Sequence, residues 1–72
     1  MTEGIEHGAI KVIEIIGVST DGFDDAVQEA VSKASQSING ITGVEVAKLS
    51  GSVKDGKIYQ YKATLKLAFV VR

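Results

Sequence analysis

Val53-Lys54-Asp55-Gly56-Lys57-Ile58 is the stretch that decides the fold. Asp-Gly between two β-rich runs is the strongest short hairpin signal, because both central residues of a type I′ turn need positive φ. With Asp55-Gly56 as a two-residue turn, Lys54 faces Lys57 and every later pair follows. Val46 then falls opposite Leu65, Glu45 opposite Lys66 and Val44 opposite Leu67. The strand repeat of two puts Tyr59, Tyr61, Ala63, Leu65, Leu67 and Phe69 on one face. Ile58, Gln60, Lys62, Thr64, Lys66 and Ala68 take the other. The first face reads as core. The second mixes amides, cations and small residues, and ligand chemistry is expected there.

Working outward, the second strand is expected over Val44 to Val53, with a bulge at Ser50-Gly51, since a Gly between strand residues weakens regular pairing. The third strand runs from Lys57 to Val71. Upstream lies one helix, Phe23 to Ile38. Its Phe23, Ala26, Val27, Ala30, Val31, Ala34 and Ile38 recur at spacings of three and four and form one apolar stripe. The alanines let the helix lie close to a sheet. Ser19, Thr20 and Asp21 offer N-caps, Asp24 and Asp25 suit the first turn, and Gly40 suits a left-handed C-terminal cap. Ala9 to Ile16 reads as the first strand, with Lys11, Ile13 and Ile15 on one face and Ile10, Val12, Glu14 and Ile16 on the other. Both faces are largely apolar, yet one helix covers only one side of a sheet. The surplus face is expected to be buried against another subunit, with Glu14 given a partner there. The fold is therefore α+β, in the order β-α-β-β: a three-stranded antiparallel curved sheet wrapped on one helix. Residues 1–8 are expected to form a flexible N-terminal arm with a solvated His7, and residues 9–72 one folded domain.

Composition narrows the function. A chain of 72 residues holds one domain, and its net charge of −1 provides no basic nucleic-acid footprint or polybasic membrane patch. There is no cysteine, hence no disulfide or thiolate metal site. The polar, acidic N-terminus does not read as a signal peptide, so a cytoplasmic chain is expected. So small a domain, with no disulfide to staple it, gains burial by oligomerising. No nucleophile elbow, P-loop, GxGxxG or His/carboxylate cluster is present, so the chain is not expected to be an enzyme.

Lys11-Val12-Ile13-Glu14-Ile15-Ile16-Gly17-Val18-Ser19 resembles the opening of the dodecins. Phe23-Asp24-Asp25-Ala26-Val27-Gln28-Glu29-Ala30, Gly43-Val44-Glu45-Val46, Asp55-Gly56-Lys57-Ile58 and Lys66-Leu67-Ala68-Phe69 match as well, so the resemblance spans residues 10 to 71. It implies a hollow shell of identical chains, a homododecamer, that binds and buffers flavin (riboflavin or FMN) at subunit interfaces; some members bind coenzyme A or metal ions. By the same resemblance Gly43 stands where flavin-binding members carry the Trp that stacks on the ring, two residues before Glu45. Lys62 stands where they carry a ring-binding Gln, seven residues before Phe69, with Gln60 two residues away on the same face. Gly43, Glu45, Gln60 and Lys62 are thus the expected ligand residues. Flavin affinity is expected to be weak, with an anionic ligand better suited to the slot at Gly43. The alternative is a structural shell without organic ligand that holds ions.

Overall fold

The turn at Asp55-Gly56 forms as the sequence requires: φ is 54° at Asp55 and 77° at Gly56, and Lys54 pairs with Lys57. The computed structural model describes residues 8–71. The expected arm, His7 included, lies outside the described residues except for Gly8. Four elements follow in order: β1 (Ala9–Ser19), α1 (Phe23–Ser35), β2 (Ile41–Lys54) and β3 (Lys57–Val71). The strands make one antiparallel sheet ordered β1-β3-β2, with β3 in the centre and α1 on one face. This is the expected β-α-β-β arrangement.

The hairpin register holds for an unexpected reason. Ser52 pairs with Gln60 but Val53 with Ile58, so Tyr59 is an extra residue on β3. Val46 pairs with Leu65 and Lys48 with Thr64, so Ala47 is an extra residue on β2. The two offsets cancel, and Val44, Glu45 and Val46 face Leu67, Lys66 and Leu65 as the turn count demands. The bulge expected at Ser50-Gly51 is not there; these residues pair regularly with Lys62 and Tyr61. Gly51 answers the bulge across from it, since a Cβ there would come within 3.1 Å of the Ile58 side chain. Tyr59, expected in the core, is 53% exposed because the bulge takes it out of the alternation.

Ala26, Ala30 and Ala34 of α1 bury themselves on Ala63, Leu65 and Leu67 of β3, with Ile13, Ile15, Val27, Val31 and Ile41 packed around them. Small residues on the helix bring it close. At Gly17 a Cβ would stand 2.0 Å from the Ala26 carbonyl oxygen and 2.8 Å from the Ala30 Cβ, so only glycine fits beneath the helix. Phe23 and Tyr61 meet edge to face, with centroids 5.0 Å apart, a favoured aromatic geometry.

The helix ends differ from expectation. Gly22, not Ser19, Thr20 or Asp21, occupies the N-cap, and no side chain caps it. Ser19 belongs to β1 instead. Its buried hydroxyl donates to Asp25 Oδ2 at 2.7 Å and accepts from the Asp21 N–H at 2.8 Å, tying strand, turn and helix together. The helix stops at Ser35 rather than Ile38; the Ser37 and Ile38 N–H groups both donate to the Ala34 carbonyl, which closes the end without a left-handed residue. Gly40 does take φ 80°, but in the turn into β2, which starts at Ile41 rather than Val44.

Candidate functional site

Residues directly opposite in an antiparallel pair point to the same face, so the two registers give the face of the sheet turned away from α1 row by row. Ile10 pairs with Val70. Val12, Ala68 and Gly43 form the next row, then Glu14, Lys66 and Glu45. Ile16, Thr64 and Lys48 follow, then Val18, Lys62 and Ser50. Gln60 and Ser52 close the face toward the turn. Nothing among the described residues covers it. Ile10, Val12, Ile16 and Val18 are 59, 55, 61 and 46% exposed, so the apolar surplus foreseen for β1 is present. A second surplus was not foreseen. The helix lies over β1 and β3, and Val44, Val46 and Leu49 on the same side of β2 remain about half exposed.

The expected ligand residues all lie on this open face but form two groups. Gly43 and Glu45 share a cavity of about 230 Å³ with Val12, Val44, Lys66 and Ala68. Gly43 is level with Ala68, whose Cβ would be 3.7 Å from a Cβ at position 43. There is room for a larger side chain at this point. Glu45 is exposed, directly opposite Lys66, which also faces Glu14 across β1. Glu14 thus lies across from a lysine of its own chain. Lys62 is half-buried and pairs with Ser50 and Val18; Gln60 pairs with Ser52. Lys62 stands six residues along β3 from Ala68, about 20 Å at the rise of a strand. Within one chain, therefore, Lys62 and Gln60 do not line the Gly43 cavity. Within one chain, Lys66 is the cation at the Gly43 cavity.

Val12, Lys66 and Ala68 were not singled out as site residues. Lys66 and Ala68 were reachable from the hairpin register, but Val12 needed the β1–β3 pairing, which no turn connects. A larger cavity of about 470 Å³ runs along the seam between β1 and α1, lined by Ile13, Ile15, Gly17, Ala30, Ala34 and Ile38 among others, with Glu29 and Lys33 at its rim. Its walls are the margin of the chain's own core beside the free edge of β1, and it holds none of the residues expected to bind a ligand. The chemistry of varied polar groups lies on the open face, which is the better candidate. Among the described residues no group of three or more His, Cys, Asp or Glu could hold a metal ion, and no helix is long and apolar enough to cross a membrane.

Fold and face together define a class: a small α+β domain with one helix, a long hairpin, and one side of its sheet left open. Residues 9–72 match the family model Dodecin, and the chain belongs to the dodecin family. It is 34% identical to dodecin from Streptomyces coelicolor, with a TM-score of 0.89 over 94% of this chain and 97% of that one. It is 30% identical to dodecin from Streptomyces davaonensis, with a TM-score of 0.84 over 89% of this chain and 94% of the other. A dodecin from Thermus thermophilus is 25% identical over 59 residues, 82% of this chain and 86% of that protein.

Proposed function

We propose that the chain is a non-enzymatic binding protein that assembles as a homododecameric shell and holds a small molecule, flavin or a nucleotide ligand such as coenzyme A, against its open sheet face. The observation that carries this reading is that face. Its apolar β1 strip and the exposed Val44, Val46 and Leu49 of β2 are different surfaces, so copies meeting through them would bury both. The cavity at Gly43 lies at the open end of the sheet, where Val12, Val44 and Ala68 offer apolar contact and Glu45 and Lys66 offer one acceptor and one donor. Such a mixture suits a planar, partly polar ligand. Gly43 supplies no ring, so flavin binds weakly; a stack on an aromatic face adds about 0.5–1.5 kcal/mol beyond area burial.

A second reading is a shell without organic ligand, able to hold ions at its contacts. The glycine at position 43 favours it, since it removes the platform on which a ring would stack. Visible absorption of the purified protein, followed by riboflavin titration with fluorescence quenching and coenzyme A titration by calorimetry, separates the two. Saturable binding of either ligand supports the first reading. A colourless protein that binds neither leaves the bare shell.

A further inference from the structure

The open face holds a charge imbalance that its carboxylates do not resolve. Lys66 faces Glu14 on one side and Glu45 on the other. Lys48 and Lys62 face no acid: Lys48 pairs with Thr64, and Lys62 pairs with Ser50. Both pairs fall in the regular stretch between the bulges at Ala47 and Tyr59, so Lys48, Ser50, Lys62 and Thr64 form a square on one face with the lysines on a diagonal. Diagonal neighbours of this kind are about 7–8 Å apart. Val18 and Ile16 wall the square on the β1 side, and neither contributes a charge.

Like charges directly opposite each other cost stability; these two lie on a diagonal, and neither has an acid in its own row. Two ammonium groups on flexible four-carbon stems can converge on one point between them, with two hydroxyls beside them as further donors. A site of many donors and no carboxylate fits a compact oxyanion with several acceptors, and a phosphate group matches it best. We propose that Lys48, Lys62, Ser50 and Thr64 form a phosphate-binding site on the open face, separate from the cavity at Gly43. It rests on the reading of this face as the ligand face. Thr64 lies four residues from Ala68, so the two sites are about 13 Å apart at the rise of a strand. The phosphate arrives either as the free anion or as part of an ester whose organic portion reaches toward Gly43.

Equilibrium dialysis of the assembled protein with inorganic phosphate, and parallel titration with riboflavin and its 5′-phosphate, tests the site. Lys48→Gln and Lys62→Gln are compared with Lys57→Gln, which removes the same charge at the hairpin turn; melting curves confirm that each folds. Saturable phosphate binding, weakened about tenfold by each of the first two changes and little by the third, supports a free-anion site, as expected for loss of one charge-assisted hydrogen bond. No binding of free phosphate, but tighter binding of riboflavin 5′-phosphate than of riboflavin with the difference abolished by the same two changes, supports an ester site. The proposal is overturned if neither occurs, or if Lys57→Gln acts as strongly as the other two. If free phosphate does not bind and riboflavin 5′-phosphate keeps its advantage over riboflavin in all three variants, this site alone falls and the reading of the Gly43 cavity stands.

Discussion

Replacing Gly17 with alanine adds one methyl group at the tightest point between sheet and helix. The new Cβ would stand 2.0 Å from the Ala26 carbonyl oxygen, 3.0 Å from its carbon and 2.8 Å from the Ala30 Cβ. Unstrained contacts between such atoms fall at about 3.5–4.0 Å. The obstructing atoms are backbone and a Cβ, with no rotamer to move, so the helix itself must lift by over an ångström. Lifting it loosens Ala26, Ala30 and Ala34 from Ala63, Leu65 and Leu67 together. Overpacking a tight core costs typically 1–3 kcal/mol, and a clash with backbone belongs at or above the top of that range, about 3 kcal/mol. Against this, Gly→Ala restricts the unfolded chain and stabilises by about 0.4–1 kcal/mol where no clash occurs. The net loss of about 2 kcal/mol corresponds to a fall in Tm of roughly 8–16 °C for a domain of this size. Circular-dichroism melting at one fixed chain concentration measures it, since assembly makes Tm concentration-dependent. Gly43→Ala is the control: its Cβ meets only the Ala68 Cβ, at 3.7 Å. Equal melting of the two variants would refute the argument that Gly17 sets the helix–sheet distance.

Three further outcomes are expected. Ser19→Ala leaves the Asp21 N–H and the Asp25 carboxylate without their shared partner and should cost about 1–2 kcal/mol by chemical denaturation; an unchanged midpoint would mean that water replaces the hydroxyl at no cost. Glu14→Ala removes one of the two carboxylates facing Lys66 and should lower the melting temperature of the assembled particle; if assembly and melting stay the same, Glu14 is merely solvated. Gly43→Trp combined with Lys62→Gln should tighten riboflavin binding at least tenfold, since base–aromatic stacking is worth about 1–3 kcal/mol per ring; submicromolar binding by the unaltered protein would point to another platform, such as the exposed Tyr59.

Much of the fold was legible because local chemistry and global arrangement agree. Asp55-Gly56 admits one tight turn, and that turn carries the register of the hairpin. The alanine stripe of α1 is read from spacing alone, and those alanines are the buried ones. The misreadings share a cause. The bulges at Tyr59 and Ala47 fall on residues with no mark of irregularity, while Gly51 drew attention although its role is to leave space for the Ile58 side chain on β3. Gly17 looked like a strand boundary, and its service to the helix shows only when the helix is laid on the strand. Ser19 has the chemistry of a cap, but the chain reaches the helix three residues later and the hydroxyl meets the Asp25 side chain instead. At the candidate site, Gly43, Glu45 and Lys66 follow from one hairpin. Val12 required the sheet order, in which β3 lies between β1 and β2 although the helix joins β1 to β2 in the chain.

The central claim is that the exposed apolar strips of β1 and β2 are buried between copies of this chain. Light scattering coupled to size-exclusion chromatography tests it most directly. The account predicts one particle of about twelve chains that persists on dilution, in keeping with closed symmetric assembly. A folded, stable monomer at micromolar concentration would contradict it.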